Sequence, residues 1–202
     1  MLKFIGIVGT NSEESTNRKL LEFIQKHFAP NYQVELIEIS QFPLFNKPDS
    51  IELPDLVLDA ADKINQADGV IISTPEYDHS VPASLLNALA WLSYGIHPLL
   101  DKPVLITGAS YGTLGSSRAQ GHLRQILDAP EIKARLMPSS EFLLGHSLDA
   151  FDANGILRDA DKIEKLEHLM RDFVEFVEIM KQLRNSRFIH RNEVESFSWD
   201  KL

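Results

Sequence analysis

Four short apolar runs, each nearly unbroken, constrain this chain more than anything else in it: Leu2-Lys3-Phe4-Ile5-Gly6-Ile7-Val8, Asp68-Gly69-Val70-Ile71-Ile72-Ser73-Thr74, Val104-Leu105-Ile106-Thr107 and Phe142-Leu143-Leu144. Runs that stay apolar at successive positions belong to strands covered on both faces, whereas a strand with one wet face alternates. Val34 to Ile39 is a further strand, alternating with acidic positions. Between the strands the apolar residues recur at helical spacing. Leu20, Leu21, Ile24 and Phe28 mark a helix over Asn17 to Phe28, and Leu56, Val57, Ala60, Ala61 and Ile64 mark one over Asp55 to Asn65. Pro82 to Ser93, with Ser80 placed to cap it, and Arg118 to Leu127 follow, and Ile163, Leu166, Met170, Phe173, Val174, Val177 and Met180 trace a long closing helix. Strands alternating with helices in this way build a parallel sheet with helices on both sides.

With five strands the expected arrangement is α/β, a doubly wound parallel sheet of the flavodoxin-like order 2-1-3-4-5, whose ligand site lies beyond the carboxyl ends of strands one and three. The length of 202 residues and 44% hydrophobic content suit one well-buried core. We expect one domain over 1–183 and a tail over 184–202, which is either disordered or lays Phe197 and Trp199 on a partner subunit. A net charge of −9 argues against nucleic acid as a partner. No apolar run approaches the ~20 residues of a membrane span and no signal-peptide pattern precedes the first strand, so a soluble, cytoplasmic protein is expected. There is no cysteine, which removes disulfides, thiolate metal sites and thiol nucleophiles, and the seven histidines form no close ligand pair. No metal site is expected, and any redox chemistry must come from a bound cofactor.

Three loops carry the chemistry. The first, Gly9-Thr10-Asn11-Ser12-Glu13-Glu14-Ser15-Thr16-Asn17, joins the first strand to the first helix, with Ser15 or Thr16 as the cap. Helix-end N–H groups and dipole, helped by Thr10, Ser12, Ser15 and Asn17, suit a phosphate, although an ordinary capped turn has the same composition. Neither Gly-x-Gly-x-x-Gly nor Gly-Lys-Ser/Thr is present, which disfavours a dinucleotide Rossmann site and a P-loop. The second loop, Thr74 to Pro82, sets Pro75, Glu76, Tyr77 and Asp78 against the mouth of that site, where a flat aromatic ligand can stack. The third, Gly108 to Ser117, is a glycine-rich turn.

Gly108-Ala109-Ser110-Tyr111-Gly112 also fits the Gly-x-Ser-x-Gly pattern of a hydrolase elbow, with Asp149 and His168 following in order. A second glycine turn through Gly115 intervenes, and His168 falls on the closing helix, so a serine hydrolase built on Ser110 is the weaker reading. His79 is a candidate proton donor to an acceptor, against a solvated loop histidine. Arg118 and Arg124 are candidates for nucleotide phosphates, against helix-surface charges.

Gly9-Thr10-x-Ser12-x-x-Ser15-x-Asn17, then Thr74 to Asp78 with Ser80, Pro82, Leu86, Asn87, Ala88, Trp91 and Ser93, then Ser110-x-Gly112-x-x-Gly115 with Arg118, Ala119, Gln120 and Leu123-Arg124, resemble the NADPH-dependent FMN reductase family. The resemblance covers about Leu2 to Leu183. It implies an FMN-dependent oxidoreductase that takes hydride from NADPH or NADH and reduces a flavin, quinone, azo compound or similar small acceptor. No side chain is then the chemical catalyst, because the flavin supplies the reactivity. The resemblance places phosphate contacts on Thr10, Ser12, Ser15, Thr16 and Asn17, ring and ribityl contacts on Pro75, Glu76, Tyr77 and Asp78, and an opposite wall on Ser110, Tyr111, Gly112 and Gly115. It also implies a homodimer or homotetramer with the flavin near a subunit boundary. A flavodoxin-type electron carrier would share fold and flavin but not the nicotinamide-dependent activity.

Two positions depart from the family pattern. Ser12 stands where an arginine is frequent, removing a charge-assisted contact of about 1 kcal/mol and favouring an exchangeable FMN. Asp78 stands where asparagine is frequent, adding negative charge that disfavours a reduced anionic ring.

Overall fold

The computed structural model describes residues 1–48, 52–183 and 190–194. Its elements run β1 (Leu2–Val8), α1 (Thr16–His27), β2 (Tyr32–Glu38), α2 (Asp55–Gln66), β3 (Gly69–Ser73), α3 (Ala83–Leu92), β4 (Pro103–Ala109), α4 (Ser117–Leu127), β5 (Arg135–Leu136), β6 (Phe142–Leu144) and α5 (Ala160–Gln182), with a 3-10 turn at Ser147–Asp149. The sheet is parallel throughout, ordered β2-β1-β3-β4-β5, with β6 also on β4. This is the expected 2-1-3-4-5 arrangement.

Alternation along each central strand divides the core in two. Ile5, Ile7, Val70, Ile72, Val104 and Ile106 face α2, α3 and α4, meeting Val57, Ile64, Leu85, Leu89, Leu123 and Leu127. Phe4, Val8, Ile71 and Leu105 face α1 and α5, meeting Leu20, Ile24, Leu166, Met170 and Phe173. Both faces are therefore apolar, which is why the central strands read as continuous runs.

The fifth strand position is shared by two short pieces. Arg135–Leu136 pairs with Pro103 and Val104, and Phe142–Leu144 pairs with Thr107, Gly108 and Ala109. Between them Pro138 has no N–H to give the ladder and Ser139 adopts φ 53°. Arg124 fastens this break from α4, donating to the carbonyls of Met137 (3.0 Å) and Ser140 and to Ser140 Oγ (2.9 Å). That occupation corrects the expectation that Arg124 is a candidate for nucleotide phosphates.

One local expectation also changes. Ser80 does not cap α3, which starts behind Pro82 with no side-chain cap; Ser80 Oγ instead lies 2.8 Å from Nδ1 of His122 on α4. The loop after β2 is strapped to α3 across its first half. Asn87 Nδ2 and Trp91 Nε1 both donate to the Pro43 carbonyl (2.9 and 2.8 Å), and Asn87 Oδ1 accepts from Phe45 N (2.8 Å). The Phe45 ring meets Trp91 edge-on at 5.0 Å between centroids, and Tyr94 OH donates to the Pro48 carbonyl. The Asn87 and Trp91 fingerprint is thus a fastening for this loop. Beyond α5, residues 190–194 form a helical turn whose His190 and Glu193 meet Asp101 and Lys133. Phe197 and Trp199 lie outside the described residues.

Candidate functional site

β1, β3 and β4 run in register to the same edge of the sheet, Val8 beside Ser73 and Ser73 beside Thr107, with β4 continuing to Ala109. The loops that follow them meet around a cavity of about 450 Å³, within the range of small-molecule sites. Of the expected residues, Ser12, Ser15, Thr16 and Asn17 line it from the first loop, Pro75, Glu76, Tyr77 and Asp78 from the second, and Ser110, Tyr111 and Gly112 from the third.

Many of the polar side chains at the first loop are already committed to protein partners. Ser15, in extended conformation, caps α1 by accepting from Arg18 N at 3.2 Å. Thr10 Oγ1 accepts from Ser12 N and lies 3.3 Å from Tyr77 OH, so Thr10 supports the loop from behind and is not a cavity-lining residue. Thr16 Oγ1 lies 2.8 Å from Ser147 Oγ. Asn17, only 2% exposed, accepts from Ser73 Oγ and Ala109 N and donates to the Ala109 carbonyl, each at 2.9 Å. Its amide stitches α1 to β3 and β4, which corrects its expected role as a side-chain phosphate donor. What remains for an anion is backbone: among the described residues the N–H groups of Thr16 and Asn17, in the first turn of α1, have no protein acceptor. These are the groups that bear the helix's partial positive charge.

The second loop is a tight hairpin. Tyr77 and Ser80 exchange backbone hydrogen bonds (3.1 and 2.9 Å), and Asp78 and His79 both have positive φ, 49° and 63°. Positive φ at both central positions is the type I′ pattern, for which asparagine followed by glycine is preferred, so this backbone is held against the preference of its residues. Pro75 and the half-exposed Tyr77 form a wall at the cavity mouth.

Glu76 joins the second loop to the third. Its side chain, 8% exposed, accepts from Arg118 N (3.0 Å), Ala119 N (3.4 Å) and Arg118 Nε (2.6 Å). Ser116, the N-cap of α4, is left-handed and makes no side-chain cap, so the Glu76 carboxylate does that work from across the cleft. Burial by itself would raise the Glu76 pKa, but the Arg118 side chain and the two backbone N–H groups hold it below the ordinary carboxylate value. A depressed carboxyl stabilises the fold above its unfolded pKa, about 4.3, and that contribution disappears as pH falls through the lower folded value. Glu76→Gln is therefore expected to be less stable than the parent at pH 7, with the gap closing below about pH 4. Denaturant unfolding at both pH values checks this; a gap of constant size would show that the charge is immaterial.

In the third loop the turn and the ligand wall are different residues. Gly115 has φ +57°, and a Cβ there would come within 2.7 Å of the Leu143 backbone. It shapes the turn and is not among the residues that line the cavity. Gly112 does line the cavity, and its carbonyl accepts from His146 N. The hydrolase arrangement is not assembled: Ser110 Oγ donates to the Gly112 carbonyl in its own turn (3.3 Å), while His168 on α5 neighbours Glu164.

Sequence reasoning missed Glu14, Ala109, Thr113 and Leu114 as lining residues, and treated His79 and Arg118, which also line the cavity, as candidates for other roles. Adjacency to the chosen positions was the available signal. Among the described residues no group of three or more His, Asp or Glu is arranged to hold a metal ion.

The family model described as NADPH-dependent FMN reductase matches residues 2–149. The chain is 54% identical over 198 residues to the NADH:(hydroxy)cinnamate reductase subunit CrdA of Vibrio ruber, covering 98% of each. It is 40% identical to the NADH-dependent flavin reductase subunit 2 of Lactobacillus johnsonii, covering 88% of this chain and 98% of that protein. Among solved structures, FerB, a flavoenzyme NAD(P)H:(acceptor) oxidoreductase from Paracoccus denitrificans, superposes with a TM-score of 0.80 at 27% identity, covering 89% of this chain and 99% of FerB.

Proposed function

Because this chain belongs to the NADPH-dependent FMN reductase family, we propose that its cavity at the carboxyl edge of the sheet is the FMN site, with the phosphate at the start of α1 and the ring against Pro75–Asp78. The protein is an FMN-dependent oxidoreductase that takes hydride from a reduced nicotinamide nucleotide and delivers it to a small acceptor. The observation that carries the site assignment is the pair of first-turn N–H groups without a protein acceptor among the described residues, those of Thr16 and Asn17, on residues that line the same cavity as the proline and tyrosine wall. Bound FMN supplies the hydride-accepting ring.

The residues around it have separable tasks. Backbone donors of α1 hold the phosphate without a metal, with Ser12 and Ser15 lining the cavity beside them. The strained hairpin fixes Tyr77 and presents Asp78 and His79 at the mouth. The ion pair of Glu76 with Arg118 keeps the second and third loops at a set separation. No side chain is required to break or form a covalent bond. Asp78→Asn is expected to raise the flavin midpoint potential by roughly 20–40 mV, the scale of one charge removed beside a solvated site. Spectroelectrochemistry checks it; an unmoved potential would place Asp78 away from the ring.

The electrostatics of the mouth bear on the donor. Glu14, Glu76 and Asp78 line it, and the one arginine that lines it among the described residues, Arg118, is already paired with Glu76. A nucleotide carrying the additional 2′-phosphate meets net repulsion there. NADH is therefore expected to exceed NADPH about tenfold in kcat/KM. The Vibrio ruber and Lactobacillus johnsonii relatives are both named for NADH. Steady-state rates with each nucleotide test the preference, and a higher kcat/KM for NADPH would refute it.

Residues 1–183 serve as the FMN-binding domain in this reading and 184–202 as its tail. The use of reduced nicotinamide supports a cytoplasmic location, and the family resemblance supports assembly as a homodimer or homotetramer. A second reading of the partner has support of its own: both relatives just cited are named as subunits, and Tyr111 and Leu114 stand 59% and 49% exposed at the cavity mouth. In that reading the electrons pass to another polypeptide seated on this rim. Molecular mass in solution, with and without co-expressed neighbouring proteins, separates the two.

A further inference from the structure

Resting on the FMN reading above, we infer that Arg18 is the positioning residue of the phosphate loop: it turns two successive loop carbonyls away from the cavity and leaves the N–H groups that follow them available to the phosphate. Arg18 is the third residue of α1, and its backbone N–H is the one capped by Ser15. Its side chain folds back along the loop that precedes the helix. Nη1 donates to the carbonyls of Ser12 (2.9 Å) and Glu13 (2.7 Å), while Nε and Nη2 grip the Glu38 carboxylate at 2.6 and 2.8 Å. The planar guanidinium can serve both sets at once because its donors point in fixed directions around one plane.

Glu38 is the last residue of β2 and is in register with Val8, the last residue of β1. The clamp is therefore anchored on the sheet itself. The pairing with Glu38 raises the Arg18 pKa, against a smaller opposing effect of burial, so the cation is permanent.

Trans peptide geometry converts the two carbonyl contacts into a statement about the N–H groups. In each planar unit the C=O and the following N–H point in opposite directions. With the Ser12 and Glu13 carbonyls directed at Arg18, the N–H groups of Glu13 and Glu14 point away from it. Arg18 does not line the cavity, whereas Ser12 and Glu14 do. Neither N–H has a protein acceptor among the described residues. The clamp thus adds two oriented donors to those of Thr16 and Asn17.

The test compares FMN with riboflavin, which has the same ring and ribityl chain but no phosphate. Flavin-free, full-length protein and its Arg18→Gln and Arg18→Lys variants are titrated with each flavin, following quenching of flavin fluorescence, and thermal unfolding is recorded in parallel. In Arg18→Gln, FMN is expected to bind about tenfold more weakly while riboflavin changes less than about threefold, so the FMN-to-riboflavin preference collapses. Arg18→Lys keeps the charge and stem but loses the fork, and is expected to retain part of that preference. It serves as the informative variant should Arg18→Gln not fold. An equal loss for both flavins would reduce Arg18 to a structural residue, and an unchanged preference in the folded variants would remove its role altogether. A parent protein that binds FMN no better than riboflavin would instead overturn the phosphate assignment itself, and the clamp's function with it.

Discussion

Asn17→Ala should lower the free energy of unfolding by about 3 kcal/mol and, with it, the melting temperature by roughly 6–12 °C. The substitution removes one side chain and strands three groups: the N–H and carbonyl of Ala109 and the hydroxyl of Ser73, all of which bond Asn17 inside the core. Each buried, unpartnered polar group costs about 1–3 kcal/mol, less whatever water recovers by entering. Because Asn17 sits in the first turn of α1, the loss also frees that turn from β3 and β4, so FMN affinity should fall more than tenfold. Ser73→Ala is the control. It removes one donor, leaves Asn17 bonded to both groups of Ala109, and should cost only about 1 kcal/mol. Equal losses in the two variants would show that the Asn17 tie is not cooperative.

Gly108→Ala should be more damaging still. A Cβ at Gly108 would lie 1.9 Å from Ser116 Oγ and 2.5 Å from the carbonyl oxygen of Thr74, with Gln120 Nε2 at 2.9 Å. Ser116 and Gln120 are fully buried at the start of α4, and the Thr74 oxygen belongs to backbone at the end of β3. Nothing there yields cheaply, so either β4 moves off β3 or the Ser110–Ser116 turn is displaced from the cavity. An overpacking cost of about 3 kcal/mol or more is expected, together with loss of flavin from the purified protein. Flavin absorbance per polypeptide and denaturant unfolding measure the two effects. Parent-like flavin content and stability would mean that the turn is not held by this contact.

The strand order was legible because both faces of the sheet are buried: Phe4, Ile5, Ile7 and Val8 cannot alternate polar and apolar when α1 and α5 cover one side and α2 to α4 the other. The division of the fifth position was not, because Arg135–Leu136 is too short for a periodicity and owes its place to the Pro138 break and to Arg124, twelve positions before Leu136 in the chain. At the site, sequence located the loops but not the use of each side chain. Ser12, Ser15, Thr16 and Asn17 are alike in being small and polar, yet Thr16 and Asn17 are turned inward by partners on other loops and strands, Ser147, Ser73 and Ala109. Those partners are 56 to 131 residues away in sequence and leave no local signal. Arg18 was passed over for the same reason, since its meaning depends on Glu38 at the end of a neighbouring strand. Glu76 was placed at the site from the Pro-Glu-Tyr segment, while its capping of α4 appears only when the second and third loops are seen together.

A crystal structure of the protein grown with FMN bears most directly on the assignment of this cavity. The expected result has the phosphate within hydrogen-bonding distance of the Thr16 and Asn17 N–H groups and the ring lying along Pro75–Asp78. FMN bound at another surface, or a phosphate placed away from the start of α1, would contradict it.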